Sequence, residues 1–286
     1  MKTVRKRLFF LIALLLIFLI FIYKKWPDKS TKVVFCDVGQ GDSILIQQGF
    51  FQLIIDSGAS DRLLGCLGHV LPFWDQTIEV VIISHFDSDH MAYFGEIMGI
   101  YNVKEIYFIE PTKNNQLVKD LLAQINNYRS GLVSKQPVLG QSIVLPSGDN
   151  LSFLEVVSLT ATELTENDRS LGGLLNLAGT QWLFTGDGEL SWEEALLERN
   201  YLPQVDVLKV GHHGSNTSSS SEFLEKVLPD TAVISVGKNS FGHPHPETLA
   251  KLESLGVKIF STEQSGDIIF KISDGKILLA ELRKRF

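Results

Sequence analysis

Hydrophobic and polar positions divide the chain into two unequal parts. Apolar residues run without interruption from Leu8 to Tyr23, between a basic start and the pair Lys24-Lys25. From residue 32 onwards, short apolar runs alternate with glycine-rich or polar turns and with stretches of helical periodicity. The pattern therefore predicts one apolar N-terminal helix followed by a mixed α/β domain.

The second part begins with strands and continues as alternating strands and helices. The runs Lys32–Cys36, Ser43–Gln47 and Phe51–Ile55 are separated by glycine-containing turns and predict an antiparallel meander. Predicted helices cover Asp61–Leu71, His90–Tyr101, Asn114–Tyr128, Glu189–Arg199, Ser218–Val227 and Pro246–Ser254. Further predicted strands cover Glu79–Ile83, Val103–Ile109, Ser142–Leu145, Leu151–Ser158, Leu171–Leu177, Gln181–Thr185, Val205–Val210, Thr231–Val236 and Lys258–Ser261, before a final hairpin of Asp267–Ile272 and Lys276–Leu282. Hairpins mixed with βα units predict two packed sheets with helices outside, a four-layer αββα sandwich.

The N-terminal segment is interpreted as a membrane anchor. At about 1.5 Å per residue its apolar run falls somewhat short of a hydrocarbon core of roughly 30 Å, but flanking Lys and Arg side chains can snorkel. Tyr23 and Trp26 suit the membrane interface. A cleaved signal peptide is the alternative, although no Ala-x-Ala-like site follows the run.

The short basic tail favours a cytoplasmic N-terminus. We therefore expect a single-pass protein of the cell membrane. Its residues 1–31 would be tail, anchor and linker, and its residues 32–286 one extracytoplasmic domain.

Charge and cysteine content narrow the choice of partners and compartment. The net charge of −7 gives no overall positive field for a polyanion, so nucleic-acid binding would depend on a local basic patch or on metal ions. The two cysteines, Cys36 and Cys66, match no zinc motif in their spacing. They could pair in an oxidising compartment, but two buried thiols are the prediction.

Acidic and imidazole side chains follow the predicted strands, and every histidine except His69 lies in such a loop. Strand ends converge on one crevice in open α/β folds. Four potential ligands fall within His85-Phe86-Asp87-Ser88-Asp89-His90. Unpaired carboxylates are costly to bury, and imidazole nitrogens with carboxylate oxygens suit Zn²⁺, Mn²⁺ or Fe²⁺. The alternative is a solvated acidic loop with Asp89 as a helix N-cap.

Taken together, the motifs resemble the metallo-β-lactamase superfamily. They are His-x-Asp-x-Asp-His at 85–90, Thr-Gly-Asp at 185–187, Lys-Val-Gly-His-His-Gly-Ser at 209–215 and Gly-His-Pro-His at 242–245. Asp-Val-Gly-Gln-Gly-Asp-Ser at 37–43 and Ile-Asp-Ser-Gly at 55–58 are similar to the hydrolase domain of ComEC competence-channel proteins. The resemblance covers nearly everything after residue 32. It departs from that branch at Met91-Ala92, where Gly-Gly is common.

The resemblance implies a metal-dependent hydrolase with two ions, either Zn²⁺ or Mn²⁺. His85 and Asp87 would bind one ion, Asp89, His90 and His213 the other, and Asp187 would bridge them. Asp87 stands where most of the superfamily has a second histidine, so the first ion is expected to be held more weakly. That site also lacks an obvious third histidine; Asn167 and Asp168 lie about where one is expected.

The implied reaction is attack on phosphorus by a metal-bound hydroxide. Asp89, His212 and His243 are the candidate catalytic residues, and for His212 a hydrogen bond to Asp87 or the backbone is the alternative. Possible phosphate contacts are Ser215, Asn216 and Lys238, whereas Asp37, Gln40, Asp42 and Asp56 are expected to fix loops around the site.

The leading functional hypothesis is a phosphodiesterase or nuclease of ComEC-like type acting on DNA. The alternative is a metallohydrolase of a phosphorylated small molecule, a lipid headgroup or an activated ester. A metal-binding module without catalysis is the third hypothesis.

Overall fold

A computed structural model describes residues 2–27, 30–128, 131–138, 140–154 and 165–284. The helices are α1 (Lys2–Lys25), α2 (Arg62–Val70), α3 (Ser88–Met91), α4 (Phe94–Ile100), α5 (Gln116–Asn126), α6 (Leu190–Glu198), α7 (Ser221–Val227), α8 (Pro246–Ser254) and α9 (Thr262–Ser265), with 3₁₀ turns at Asn167–Arg169 and Gly211–Gly214. The strands are β1 (Thr31–Phe35), β2 (Ile44–Gln48), β3 (Phe51–Ile55), β4 (Thr77–Ile82), β5 (Asn102–Tyr107), β6 (Val133–Lys135), β7 (Ser142–Val144), β8 (Asn150–Leu154), β9 (Gly172–Leu177), β10 (Thr180–Phe184), β11 (Val207–Lys209), β12 (Thr231–Ile234), β13 (Lys258–Ser261), β14 (Asp267–Ser273) and β15 (Lys276–Arg283).

The strands form two mixed sheets. The first has the order β15-β14-β1-β2-β3-β4-β5-β6 and the second the order β13-β12-β11-β10-β9-β8-β7. In the first sheet β1, β2 and β3 pair antiparallel, and β4 then adds parallel to β3. In the second, β10, β11, β12 and β13 are parallel. The meander expected at the start of the domain is confirmed.

Three hydrophobic layers hold the four structural layers together. Successive side chains of a strand point to opposite faces. In β1, Val33 and Phe35 therefore pack between the two sheets, while Val34 packs under the helices of the first sheet. Leu183 and Leu208 of the second sheet likewise pack under its own outer helices. The predicted αββα sandwich is confirmed by this arrangement.

The predicted helix His90–Tyr101 is wrong in one respect, because two short helices, α3 and α4, stand in its place. An unbroken helix would join the Tyr93 N–H to the carbonyl of Asp89. Instead, the Tyr93 N–H donates to the Gly58 carbonyl at 3.1 Å, and the Asp89 carbonyl accepts from the Asp42 N–H at 3.2 Å. The helix is thus interrupted by two long-range hydrogen bonds that periodicity cannot reveal.

Two further differences concern strand ends and short elements. The strand predicted over Leu151–Ser158 is found to Leu154, and residues 155–158 lie outside the described residues. Strand β6 was not predicted, since it has three residues and none of them is buried.

Cys36 and Cys66 form a disulfide, so the prediction of two buried thiols is wrong. Cys36 directly follows β1, and Cys66 lies on α2, which packs on that sheet. Their Cα atoms are 5.8 Å apart, within the usual range for a disulfide. The pairing follows from tertiary packing across 30 residues of sequence, which the spacing alone does not specify.

Helix α1 is long and apolar enough to cross a membrane over Val4–Tyr23, and none of that segment is buried inside the molecule. Twenty residues at about 1.5 Å each span roughly 30 Å, the thickness of a hydrocarbon core. Its exposed Leu, Ile and Phe side chains distinguish it from the core helices of the domain.

Candidate metal centre

The candidate ligands lie where strands of both sheets end. His85 follows β4 in the first sheet, and Asp187 follows β10 in the second. His213 lies in the turn after β11, while Asp89 and His90 are carried by α3. The two sheets therefore contribute ligands from opposite sides of one cleft.

One group of ligand atoms has the spacing expected around a single ion. The Oδ2 atom of Asp187 lies 3.2 Å from Nε2 of His90 and 3.3 Å from Nε2 of His213. The two imidazole Nε2 atoms are 3.4 Å apart, and Oδ2 of Asp89 is 3.2 Å from His213. Four atoms about 2.1 Å from one tetrahedral ion are roughly 3.4 Å apart. Asp89, His90 and His213 form one group of this kind, and Asp187 belongs to a neighbouring group with His85 and His90.

His85 begins a second group around the same carboxylate. Its Nε2 lies 4.0 Å from Oδ2 of Asp187 and, among the described residues, is buried without a hydrogen-bond partner. Burial, together with the nearby His90, holds the pKa of His85 well below its usual value, so the ring is neutral. A buried lone pair without a donor is costly, and a cation would satisfy it. The chemistry of this group also fits a metal.

Asp87 differs from the other predicted ligands because its carboxylate is bonded to a lysine. Its Oδ2 lies 3.9 Å from Nε2 of His85, and its Oδ1 is bonded to the ammonium group of Lys113. Lys113 precedes α5 in a loop that carries no recognised motif, and it was missed in the sequence. A lysine that neutralises Asp87 competes with a cation for the same carboxylate. The weaker binding expected of the first ion stays a prediction.

The two histidines of the tighter group are oriented by bonds to their other ring nitrogens. Nδ1 of His90 lies 2.9 Å from Oδ2 of Asp56, and that carboxylate also accepts from the Ser84 hydroxyl at 2.6 Å. Nδ1 of His213 lies 2.8 Å from the Ser235 carbonyl. Such outer contacts fix the tautomer that presents Nε2 to an ion. Asp56 also accepts from the Ser84 N–H at 2.8 Å, so its carboxylate joins the loops that follow β3 and β4.

Without a metal, the centre is strongly ionised. Burial alone would lower the pKa of His90, but the carboxylates of Asp187 and Asp56 outweigh it and raise that pKa to about 10. Burial would raise the pKa of Asp187, yet His213, His90 and Lys209 hold it well below its usual value. A metal cation would therefore replace the ring protons that pair with these carboxylates.

Replacing Asp56 by Ala is expected to weaken metal binding about 10- to 100-fold, because His90 loses the carboxylate that orients it. Metal titration of the purified chain measures the change. Asp37→Ala is the matched control, since Asp37 also follows a strand but bonds to Arg62 and to the Gly39 N–H. An unchanged affinity in Asp56→Ala would contradict the orienting role.

A buried ion pair lies behind the ligands and was missed in the sequence. Lys209, 1% exposed, is bonded through Nζ to Asp42 and to the Gly186 carbonyl at 2.7 Å, and it lies 3.5 Å from Oδ1 of Asp187. Burial would lower the pKa of Lys209, but Asp42 and Asp187 raise it above its usual value. Asp42 shows the reverse, because Lys209 overcomes burial and lowers its pKa. Both groups therefore remain charged in the folded protein.

A close backbone approach brings the first glycine-rich loop to this site. Gly41 has a φ of +125°, and a Cβ there would lie 2.1 Å from the Asp89 carbonyl oxygen. Only glycine fits so near to another backbone. The loop can therefore deliver Asp42 to Lys209 while touching α3.

Two consecutive histidines, His212 and His213, lie in the turn after β11. His212 and His213 both adopt the left-handed region, with φ of 45° and 53°, a conformation unusual for such residues. Nδ1 of His212 is 2.9 Å from Glu189 and 3.2 Å from the Thr217 hydroxyl. The alternative prediction for the His212 ring was a hydrogen bond to Asp87 or the backbone, and its partners are instead Glu189 and Thr217.

His243 packs edge-on against His212, with ring centroids 5.3 Å apart, and both side chains line a cavity of about 460 Å³. The cavity is lined by Gln40, Asp87, Asp89, Asp187, His212, His213, Phe241 and His243. Burial and the neighbouring His212 lower the pKa of His243, and its Nδ1 has no hydrogen-bond partner within the described part of the chain. Both candidate catalytic histidines therefore line the same space as the metal ligands.

Other candidates are not at the cavity. Ser215 is buried, and its hydroxyl is 3.0 Å from that of Thr217. Asn167 donates to Glu189, and Asp168 is bonded to the hydroxyls of Thr165 and Ser191. Neither of these last two belongs to a ligand group among the described residues.

Residues 36–238 match the Metallo-beta-lactamase superfamily. The chain belongs to this superfamily. ComE operon protein 3 of Bacillus subtilis is 27% identical over 281 residues, covering 89% of this chain and 34% of that protein. Recombination protein 2 of Haemophilus influenzae is 28% identical over 279 residues, covering 96% of this chain and 33% of that protein. The predicted similarity to the ComEC branch of this metallo-β-lactamase family is confirmed.

The chain spans about a third of the length of these two relatives. Among solved structures, the metallo-β-lactamase fold protein YhfI from Bacillus subtilis has a TM-score of 0.59 at 12% identity, covering 85% of this chain and all of that one. At such low identity the likeness concerns the fold. As a member of its superfamily, the chain is a metal-dependent hydrolase.

Proposed function

We propose that this chain is a metal-dependent phosphodiesterase that cleaves nucleic acid, with DNA as the leading substrate and residues 32–286 as the hydrolase. The observation that carries the proposal is the clustering of three imidazoles and two carboxylates, His85, His90, His213, Asp89 and Asp187, beside an open cavity that Asp89, Asp187 and His213 line. The relative named Recombination protein 2 supports a substrate of the nucleic-acid class.

We assign one ion to Asp89, His90 and His213 and a second, weaker one to His85 and Asp87, with Asp187 shared. Zn²⁺ and Mn²⁺ both suit these nitrogen and oxygen donors. When bound, such ions supply Lewis acidity toward a phosphoryl oxygen and a nucleophile at neutral pH.

The protein's own groups prepare the substrate around that centre. Lys113, which is bonded to the cavity residue Asp87, offers an ammonium donor to a phosphate oxygen. Glu189 holds Nδ1 of His212, which leaves Nε2 to meet a ligand in the cavity. We assign protonation of the leaving oxygen to His212 and contact with the phosphoryl group to His243. A chain of net charge −7 then attracts a polyanion only locally, through these groups and the ions.

The proposal is tested by incubating the purified chain with single- and double-stranded DNA and Mn²⁺ or Zn²⁺, beside the generic diester bis(p-nitrophenyl) phosphate. DNA cleavage is expected, with His212→Ala about 10²-fold slower as befits loss of a proton donor. Turnover of the diester without DNA cleavage would favour a small-molecule phosphodiesterase, which the acidic net charge supports. A metal-loaded chain that hydrolyses nothing would favour a binding module.

We further propose that α1 anchors the chain in the cell membrane with the hydrolase outside the cytoplasm. Support comes from the exposed apolar surface of α1 and from the Cys36–Cys66 disulfide, which is typical of oxidising compartments. A protease added to intact cells is expected to degrade the domain. Protection of the domain until the cells are lysed would contradict this orientation.

A further inference from the structure

Four aromatic side chains outside the metal centre form one cluster, here called the aromatic patch: Trp26, Phe50, Phe73 and Trp74. Ring centroids are 5.4 Å apart for Trp26 and Phe50, 6.4 Å for Trp26 and Trp74, and 4.8 Å for Phe73 and Trp74. The side chains come from three separate segments, namely the residue after α1, the β2–β3 turn and the loop before β4. Because the rings contact one another across three segments, they form a continuous aromatic surface.

The aromatic patch is open to its surroundings. Phe73 is 62% exposed, Trp26 is 58% exposed and Phe50 is 43% exposed. A contiguous exposed apolar surface of this kind marks an interaction site, because isolated exposed apolar side chains are the ordinary case.

The occupant is indicated by continuity with the apolar helix. Phe21, within the apolar segment of α1, packs on Phe73 with ring centroids 6.1 Å apart. Only residues 26–30 separate α1 from β1, so the domain cannot move farther than about 18 Å from the end of that helix. Tryptophan and other aromatic rings concentrate where acyl chains meet headgroups. The surface that lies next to such a helix end is the lipid–water interface.

Strand register places the aromatic patch at the end of the molecule opposite the metal centre. Gln48 pairs with Phe51 beside the patch, whereas Ile44 pairs with Ile55 directly before Asp56. Ile55 is also aligned with Ile82, which leads to His85. Five residues of strand at about 3.3 Å each therefore put roughly 17 Å between the patch and the ligands.

We propose that the aromatic patch inserts into the interface of the membrane that α1 spans, and that it holds the metal cavity facing away from that bilayer. The proposal rests on the membrane anchoring proposed above and deepens it by fixing an orientation. In this orientation the cavity accepts substrates from the aqueous compartment. The phospholipid headgroups of the chain's own membrane lie at the opposite end of the domain.

The test uses tryptophan fluorescence of the full chain reconstituted in phosphatidylcholine vesicles, with acyl chains either brominated or not. The chain has four tryptophans, and Trp182 and Trp192 are fully buried. The variant Trp26→Phe keeps Trp74 as the reporter in the patch. The triple variant Trp26→Phe/Trp74→Phe/Phe241→Trp places the reporter at the cavity, where Phe241 is 71% exposed.

Bromolipid is expected to lower the Trp74 signal roughly twofold and to leave the reporter at position 241 unchanged, since only interfacial rings contact acyl chains. Phe50→Ser/Phe73→Ser, made in the Trp26→Phe background, should reduce the quenching of Trp74 while the chain still floats with the vesicles. Leu190→Ser is the matched control, because Leu190 is an exposed apolar residue at the cavity end of the molecule, 42% exposed.

Equal quenching of the two reporters, or no quenching of Trp74 in a chain that floats with the vesicles, would overturn the orientation. A chain that does not float would refute both the anchor and the docking. DNA cleavage is measured on the Trp26→Phe preparation, so a failed nuclease with quenching intact would count against the substrate assignment alone.

Discussion

Asp187→Ala is expected to abolish hydrolysis and to lower metal content at the same time. Oδ2 of Asp187 is 3.2 to 4.0 Å from the Nε2 atoms of His90, His213 and His85, so one carboxylate lies within reach of both proposed ligand groups. Its removal leaves three imidazoles with no shared anion, and each group loses a ligand. We expect at least a 10³-fold fall in rate, as is usual when transition-state stabilisation by a charged centre is lost.

The measurement is the rate on a phosphodiester beside the metal content of the purified variant. Asp120→Ala on α5 is the control, since Asp120 lies on an exposed helix face and bonds only to its neighbour Gln116 among the contacts described. Full activity of Asp187→Ala would refute the shared-ligand assignment. A variant that keeps its metal but loses activity would restrict Asp187 to a role in the reaction.

Lys209→Met is expected to destabilise the domain by about 3–5 kcal/mol, because it leaves the carboxylate of Asp42 buried without its cation. The side chains are similar in length, so lost packing contributes little. Asp42→Asn removes the stranded charge, and the double variant Lys209→Met/Asp42→Asn should recover at least part of the loss. Urea denaturation of the detergent-solubilised chain, followed by tryptophan fluorescence, measures the free energy of unfolding.

The pH dependence of the stability follows from the directions in which the pKa values of Asp42 and Lys209 are shifted. The folded protein lowers the pKa of Asp42 from 3.8, so its contribution is present above that pH and is lost on further acidification. It raises the pKa of Lys209 from 10.5, so that contribution is present below that pH and is lost in stronger alkali. Wild type and Lys209→Met should therefore differ most between these limits. Equal stabilities near neutral pH would contradict a stabilising pair.

Much of the fold was predictable because it depends on local patterns. Strands β1 to β3 alternate in polarity or end in glycine turns, and the two-sheet sandwich follows from the mixture of hairpins and βα units. The break between α3 and α4 was not predictable, because Tyr93 and Asp89 find their hydrogen-bond partners more than 30 residues away. The Cys36–Cys66 bond was missed for the same reason.

The residues of the candidate site also divide into those that a local sequence pattern reveals and those that only the folded chain reveals. His85, Asp89 and His90 stand out because potential ligands crowd into a few positions after a strand. Lys209 also ends an apolar strand, β11. A lysine at such a position is expected to be buried and to need an acidic partner, so this ion pair could have been found from the sequence. Lys113 carried no signal, since its loop has no periodicity and its partner Asp87 is known only from the folded chain.

The Cys36–Cys66 bond links the chemistry of the site to the place where the chain folds. Cys36 begins the loop that carries Asp42, and its N–H donates to the Ser43 carbonyl at 2.9 Å, so the covalent bond tethers one end of that loop to α2. In a reducing cytoplasm this tether does not form. If the domain lies outside the cytoplasm and cleaves DNA, as proposed, the loop is tethered only after export, when the enzyme is already separated from the chromosome of the cell that makes it.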